Sequence, residues 1–174
     1  LGEALRLRTA SVLIRDSSKN VYRIESAFGL KPTVWRNIAL GSASLLIELL
    51  CTRKAPIERE KELHLFSWQE ANQLAHDFDE LHATCAIPLV VRGELIGSIN
   101  LMPSAESQSF APHEIKSFFE FAAQTAEIFH NAVLFDELRK SNEELMKIQS
   151  GFLQSNQHAA IAQLAAGVAH EIHN

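Results

Sequence analysis

A chain of 174 residues with 47% hydrophobic side chains has room for one ordinary core plus an extended element. Its 16 basic and 21 acidic residues leave a formal net charge of -5 and form no basic stripe, so nucleic acid is excluded as an expected partner. No apolar run approaches the roughly twenty residues that span a bilayer, and Leu1-Gly2-Glu3 is no signal-peptide start. The segment is expected to make no membrane contact and to work in the cytoplasm, with any anchor elsewhere in a longer parent.

Ser11-Val12-Leu13-Ile14-Arg15 is a short apolar run that meets the polar cluster Asp16 to Asn20 and is followed by Val21 to Phe28, which predicts two strands and a turn. In the second run Tyr22, Ile24, Ser26 and Phe28 share one face while Arg23 and Glu25 share the other. That period of two predicts a sheet with one wet and one dry face. From Ser42 to Arg53 the spacing of Leu45, Leu46, Leu49 and Leu50 predicts a helix, stopped by Pro56 before an extended piece around Ile57. Trp68 to Leu81 reads as another helix. Thr84 to Val91 and Glu94 to Met102, joined by Arg92-Gly93, predict a β-hairpin whose glycine supplies the positive φ of a tight turn. Cys51 and Cys85 lie far apart in apolar stretches and are expected to be reduced, buried thiols.

After the polar loop Pro103 to Ser109, Pro112 suits a first helical turn, and the stretch from Glu114 to Asn174 contains no proline. Phe118, Phe119, Phe121, Ala122, Ala126 and Phe129 predict a helix lying on its own domain up to Phe135. Beyond that, Leu138, Leu145, Phe152, Ala159 and Ala166 recur every seven residues, with polar Asn142, Gln149 and Asn156 in the alternate seam positions. That pattern predicts a parallel homodimer. Ser150 to Asn156, with Gly151 inside, is the poorest helix former of the stretch, and a break or stutter is expected there.

The order of these elements resembles the GAF domain, a small antiparallel-sheet sensor fold. Ala86-Ile87-Pro88-Leu89-Val90-Val91-Arg92-Gly93-Glu94-Leu95-Ile96-Gly97 looks like the family's hairpin, and Phe110-Ala111-Pro112-His113-Glu114-Ile115 is similar to its entry into the last helix. The resemblance implies an α+β fold, a GAF-like antiparallel sheet flanked by helices and followed by a long C-terminal coiled-coil helix. The family's usual first helix would be represented at most by Leu1 to Arg8. Gln163-Leu164-Ala165-Ala166-Gly167-Val168-Ala169-His170-Glu171-Ile172-His173-Asn174 resembles the H-box of HisKA-type sensor histidine kinases. The two resemblances imply a sensory domain at 1–136, a connecting signalling helix at 137–157 and the start of a phosphoacceptor helix at 158–174.

By that match His170 is the phosphoacceptor, Glu171 the neighbouring acid, and Asn174 the residue implicated in dephosphorylating the partner regulator. The chemistry agrees. An imidazole with a pKa of about 6.5 is largely neutral at cytoplasmic pH and keeps a lone pair that can attack the γ-phosphoryl group of ATP. Glu171 can take the proton of the other ring nitrogen, and Asn174 falls one helical turn beyond His170. The family implies that magnesium-bound ATP sits in a further domain outside these residues, so that this segment alone is inactive, and that a response-regulator receiver domain accepts the phosphoryl group. His170 and His173 are three apart, which does not match the four-residue spacing of a zinc-protease helix, so no metal is expected.

Phe28, Trp35, Cys51 and Trp68 are the candidates for lining a small-molecule pocket in the sensory part, against the plainer reading of an aromatic core and lid. The competing reading for the whole chain is a GAF-containing ligand-binding or regulatory module whose long helix only dimerises. A third class, a GAF-like sulfoxide reductase, is weakened by the expected burial of both thiols.

Overall fold

The computed structural model describes residues 7–16, 18–107 and 109–172, the side chains of Phe129, Val133 and 151–172 lying outside that description. Six strands form one antiparallel sheet: β1 (Leu7–Asp16), β2 (Val21–Phe28), β3 (Ala39–Gly41), β4 (Ile57–Glu58), β5 (Cys85–Val91) and β6 (Glu94–Pro103), in the spatial order β3-β2-β1-β6-β5-β4. The helices are α1 (Pro32–Trp35), α2 (Leu45–Arg53), α3 (Arg59–Leu63), α4 (Trp68–Glu80) and α5 (Pro112–Ile172). Among the described residues no helix is long and apolar enough to cross a membrane. Two compact units are distinguished, Leu1–His130 and Asn131–Asn174.

In the first unit the sheet is covered on both sides. Leu13, Tyr22, Ile24, Leu40, Ala86 and Leu95 pack with Leu46, Ile47 and Leu50 of α2 and Leu74 and Phe78 of α4. On the other face Cys85, Ile87, Leu89, Val91 and Leu101 pack with Ala122 and Ala126 of α5, and Phe118 and Phe119 join at the margin. The expected wet face is therefore dry across β5 and β6, because the first turns of α5 lie over it. Small residues at 122 and 126 let the helix approach closely, while Phe118 meets Phe110 edge to face with ring centroids 5.7 Å apart.

The period-two reading of β2 holds for Tyr22 and Ile24 and then fails. Ser26 pairs with Val12 and Ile24 with Leu13, so Glu25 is an extra residue in a β-bulge. The bulge reverses the alternation: Ala27 packs on the α2–α4 side, and Phe28 is turned outward at 50% exposure. The α2–α4 face is also not uniformly apolar. Thr9, Ser11, Ser98 and Asn100 are buried on it, with the Asn100 amide donating to Ser11 Oγ at 3.3 Å and accepting from Ser98 Oγ at 2.9 Å. Thr9 Oγ1 donates to the His82 carbonyl at 2.7 Å, pinning the exit of α4 to β1.

The hairpin β5–β6 turns as expected, with Arg92 as well as Gly93 at positive φ (50° and 85°), the pattern of a type I′ turn. Residues 7 and 8 belong to strand β1, not to a first helix. Two short helices, α1 and α3, and the strand β3 occupy stretches that carry no long periodic signal. Of the break or stutter expected at 150–156, the backbone shows no break, since helix runs through these residues; Gly, Ser and Asn lower helix stability without forbidding the conformation. In the second unit Asp136 pairs with Arg139 at 3.0 Å and Lys140 at 2.7 Å along one face of the helix. Hydrogen bonds from those two side chains hold the Asp136 carboxyl below its usual range.

Gly97 of β6 pairs with Ile14 of β1. A Cβ there would run into the Leu13 backbone carbonyl and press on Ile14 Cδ1. Gly97→Ala is expected to cost roughly 1–3 kcal/mol as an overpacking change, read as a lower urea midpoint with an unchanged slope.

Candidate functional site

One cleft of about 330 Å3 opens at the end of the sheet where the β1–β2 and β5–β6 turns lie side by side. It falls within the roughly 300–1,000 Å3 of small-molecule sites. Three walls build it. Arg15, Asn20 and Tyr22 come from the β1–β2 hairpin, Ser42, Ile47, Cys51 and Lys54 from α2 and its flanks, and Gly93, Glu94 and Leu95 from the β5–β6 turn.

Local sequence places each wall. Asn20 takes a left-handed conformation (φ 52°), which asparagine tolerates, and its amide donates to Ser42 Oγ at 2.8 Å, bridging two walls. Lys54 ends α2 as a left-handed cap (φ 50°) whose N–H donates to the Leu50 carbonyl, and its ammonium reaches over the Gly93 turn. The far end of α2 is fixed by Asp77 of α4, whose carboxylate accepts from Ser44 Oγ at 2.8 Å and from the Leu46 N–H at 3.1 Å. The cleft's interior is apolar, formed by Ile47, Leu95 and the Tyr22 ring, all buried. Its mouth is charged: Arg15, Lys54 and Glu94 are exposed, and among the described residues none of the three is in an ion pair.

Burial pushes the Tyr22 hydroxyl up to about 12, with the adjoining Cys51 thiol adding to the rise and Arg15 opposing it. Cys85 is pushed up to about 12 by burial, with Glu58 reinforcing. Cys51, by contrast, is exposed. The expectation of two buried thiols is corrected for Cys51: α2 turns Leu46, Ile47 and Leu50 to the core, leaving position 51 at the edge of the buried face. The burial argument against thiol chemistry thus holds for Cys85 alone.

Of the four pocket candidates read from the sequence, only Cys51 lines the cleft. Phe28 is turned out by the bulge, and Trp68, in the first turn of α4, is 80% exposed. Trp35 packs against the α2–α4 core with the Arg36 guanidinium 5.6 Å from its ring. Arg15, Asn20, Ser42, Lys54 and Glu94 carried no sequence signal, since they come from separate turns and share only their place at one end of the sheet. His170 and Glu171 fall on α5 where side chains lie outside the described residues, as does Asn174 altogether. Among the described residues no cluster of His, Cys, Asp and Glu could hold a metal ion.

No family model and no curated protein matches this sequence. Solved structures do. The GAF domain of a phosphoenolpyruvate-protein phosphotransferase from Coxiella burnetii is 24% identical with a TM-score of 0.58, over 79% of this chain and 80% of that one. Residues 122 to 287 of a methyl-accepting chemotaxis protein superpose with a TM-score of 0.61 at 17% identity, over 78% and 85%. The second GAF domain of DevS from Mycobacterium smegmatis gives 0.53 at 15%, over 79% and 92%. Likeness at these identities establishes the fold, and the fold is that of a GAF domain.

The chain has one tyrosine, so absorbance at the tyrosinate band reads Tyr22 alone. Its midpoint is expected near 12, against about 10 for a free tyrosine. The unfolded chain gives up this proton first, so the contribution of Tyr22 to stability is intact below pH 10 and falls as pH rises toward 12. A midpoint at 10 in folded protein would mean that the ring is not enclosed.

Proposed function

We propose that this chain is the sensory and dimerisation segment of a two-component sensor histidine kinase that works in the cytoplasm. In the parent, His170 takes the γ-phosphoryl group of ATP and passes it to an aspartate of a response-regulator receiver domain. The observation that carries the reading is the succession of a GAF fold and one helix, α5, whose sequence runs into Ala165-Ala166-Gly167-Val168-Ala169-His170-Glu171. In the reaction one imidazole nitrogen bonds to the γ-phosphorus, the bond to the bridging oxygen breaks and ADP leaves. Glu171 takes up the proton of the second nitrogen, and Asn174, four residues on in the sequence, serves the hydrolysis of the phosphorylated regulator by water, which releases inorganic phosphate. Magnesium and ATP belong to a separate domain.

Pairing of two copies supplies the other half of the reading. In the second unit Leu138, Leu145 and Ile148 are 69%, 62% and 69% exposed, and the first two stand seven residues apart in the seam read from the sequence. A second copy of the helix covers such a stripe, and polar Asn142 and Gln149 fix its register. A regulatory module that merely dimerises would share this pairing but not the chemistry at His170.

Sedimentation at micromolar concentration is expected to give twice the chain mass, and truncation after Asp136 to shift the equilibrium toward monomer. A monomer insensitive to truncation contradicts the pairing.

Restored to its parent, the segment is expected to acquire an acid-labile, base-stable phosphoryl group at His170 and at no other histidine. His170→Gln should abolish labelling with the dimer intact. Glu171→Gln should slow labelling by about a hundredfold, in the range of a lost general base, while changing ATP affinity little. Undiminished labelling of the His170→Gln parent would overturn the kinase reading in favour of the ligand-binding module.

A further inference from the structure

We propose that the cleft between the two hairpin turns and α2 binds a free α-amino acid with an aliphatic or thioether side chain. The inference rests on the sensory part of the reading above and is independent of phosphoryl chemistry at His170.

The groups around the cleft set the ligand's chemistry. Arg15 and Lys54 reach the mouth from two different walls, and Glu94 stands on the third. Two cations and one carboxylate around the same mouth select against a multiply charged anion such as a phosphate ester, which Glu94 would repel, and against a simple amine, which the cations would repel. A zwitterion satisfies both signs: its carboxylate meets the guanidinium and ammonium, and its own ammonium meets Glu94. Because these three charged side chains have no ion-pair partner among the described residues, none needs to break a bond to take the ligand. The α-substituent then points inward, where Ile47, Leu95 and the face of Tyr22 offer an apolar bed. Gly93 holds a positive φ at the turn beneath the Lys54 ammonium, and its missing side chain leaves the mouth open. Asn20 and Ser42, already bonded to each other at 2.8 Å, close the remaining side with polar atoms.

Cys51 makes the site readable without knowing the natural ligand. It lines the cleft and is exposed, whereas Cys85 is buried, so one thiol of the folded chain reacts with iodoacetamide and the other serves as internal control. Millimolar L-leucine is expected to slow alkylation of Cys51 about tenfold in the full chain, and L-methionine to act alike. Isovalerate, which keeps the carboxylate and chain but lacks the ammonium, and isopentylamine, which lacks the carboxylate, are expected to protect weakly. Arg15→Ala and Lys54→Ala should each weaken leucine binding by about tenfold, the effect of removing a partner of a charged group. Glu94→Gln should weaken leucine by a similar factor and bring isovalerate level with it. Circular dichroism confirms that each variant is folded.

Absence of protection by leucine and methionine in folded protein overturns the proposal. So does equal protection by isovalerate in the unaltered chain, which would make the cleft a plain anion site. Labelling of His170 with no amino-acid binding removes the ligand and leaves the kinase reading; binding with no labelling does the reverse.

Discussion

The arrangement of the first unit hangs on one buried carboxylate. Asp77, only 6% exposed, reaches from α4 to the first turn of α2 and accepts from the Ser44 hydroxyl and the Leu46 amide. A helix start presents unpaired N–H groups and the positive end of the helix dipole, which is where a buried negative charge is least costly. The contact therefore settles two problems together: the solvation of Asp77 and the capping of α2. It also fixes the position of α2 along the sheet. With its first turn tied to α4, the helix's last turn, carrying Cys51 and Lys54, comes to rest beside the two hairpin turns, and the cleft exists because of that placement. Loss of the carboxylate would free the helix start and blur the cleft at its other end.

The second organising constraint is that the sheet is buried on both faces. Strand β5 is enclosed along nearly its whole length, with Cys85, Ile87 and Leu89 toward α5 and Ala86 toward α2 and α4. Such a strand cannot show alternating polarity, and Cys85-Ala86-Ile87-Pro88-Leu89-Val90-Val91 does not. Proline at position 88 lies beyond the stretch of β5 paired by β4, which ends at Ala86, so the strand is an edge there and tolerates proline. The first turns of α5 are thus part of the core of the first unit, held there by Ala122 and Ala126.

The sequence was legible wherever a local rule decided the structure. The Arg92-Gly93 turn and the start of α5 at Pro112 follow from backbone chemistry alone. The GAF order of elements came from the resemblance carried by residues 86–97 and 110–115. What escaped were features set by tertiary pairing. The bulge at Glu25 moved Phe28 from the inner to the outer face, and no residue near it announces an irregularity. The exposure of Cys51 depends on which face of α2 the sheet takes. The cleft itself joins residues 15, 42, 54 and 94, whose meeting is a consequence of strand order and is invisible to spacing along the chain. The motif around His170 is contiguous along the chain, and its side chains lie outside the described residues.

The strand pair β5–β6 also explains why an occupant of the cleft has a physical route to α5. Leu95 packs on the cleft side, and the next residue, Ile96, packs with the cluster beneath α5. Their opposite facing is the ordinary alternation of a strand, and the irregularity in the β5–β6 pairing comes directly after it, where Val90 meets Leu95 but Leu89 meets Gly97, leaving Ile96 as the extra residue. A bulge is the point at which a strand can bend without losing a full ladder of hydrogen bonds. A ligand that presses on Leu95 therefore acts beside one of the irregular joints of the sheet. The displaced side chain on the far face is one that Ala122 and Ala126 of α5 must accommodate, in a close-packed layer with no spare volume to absorb the change.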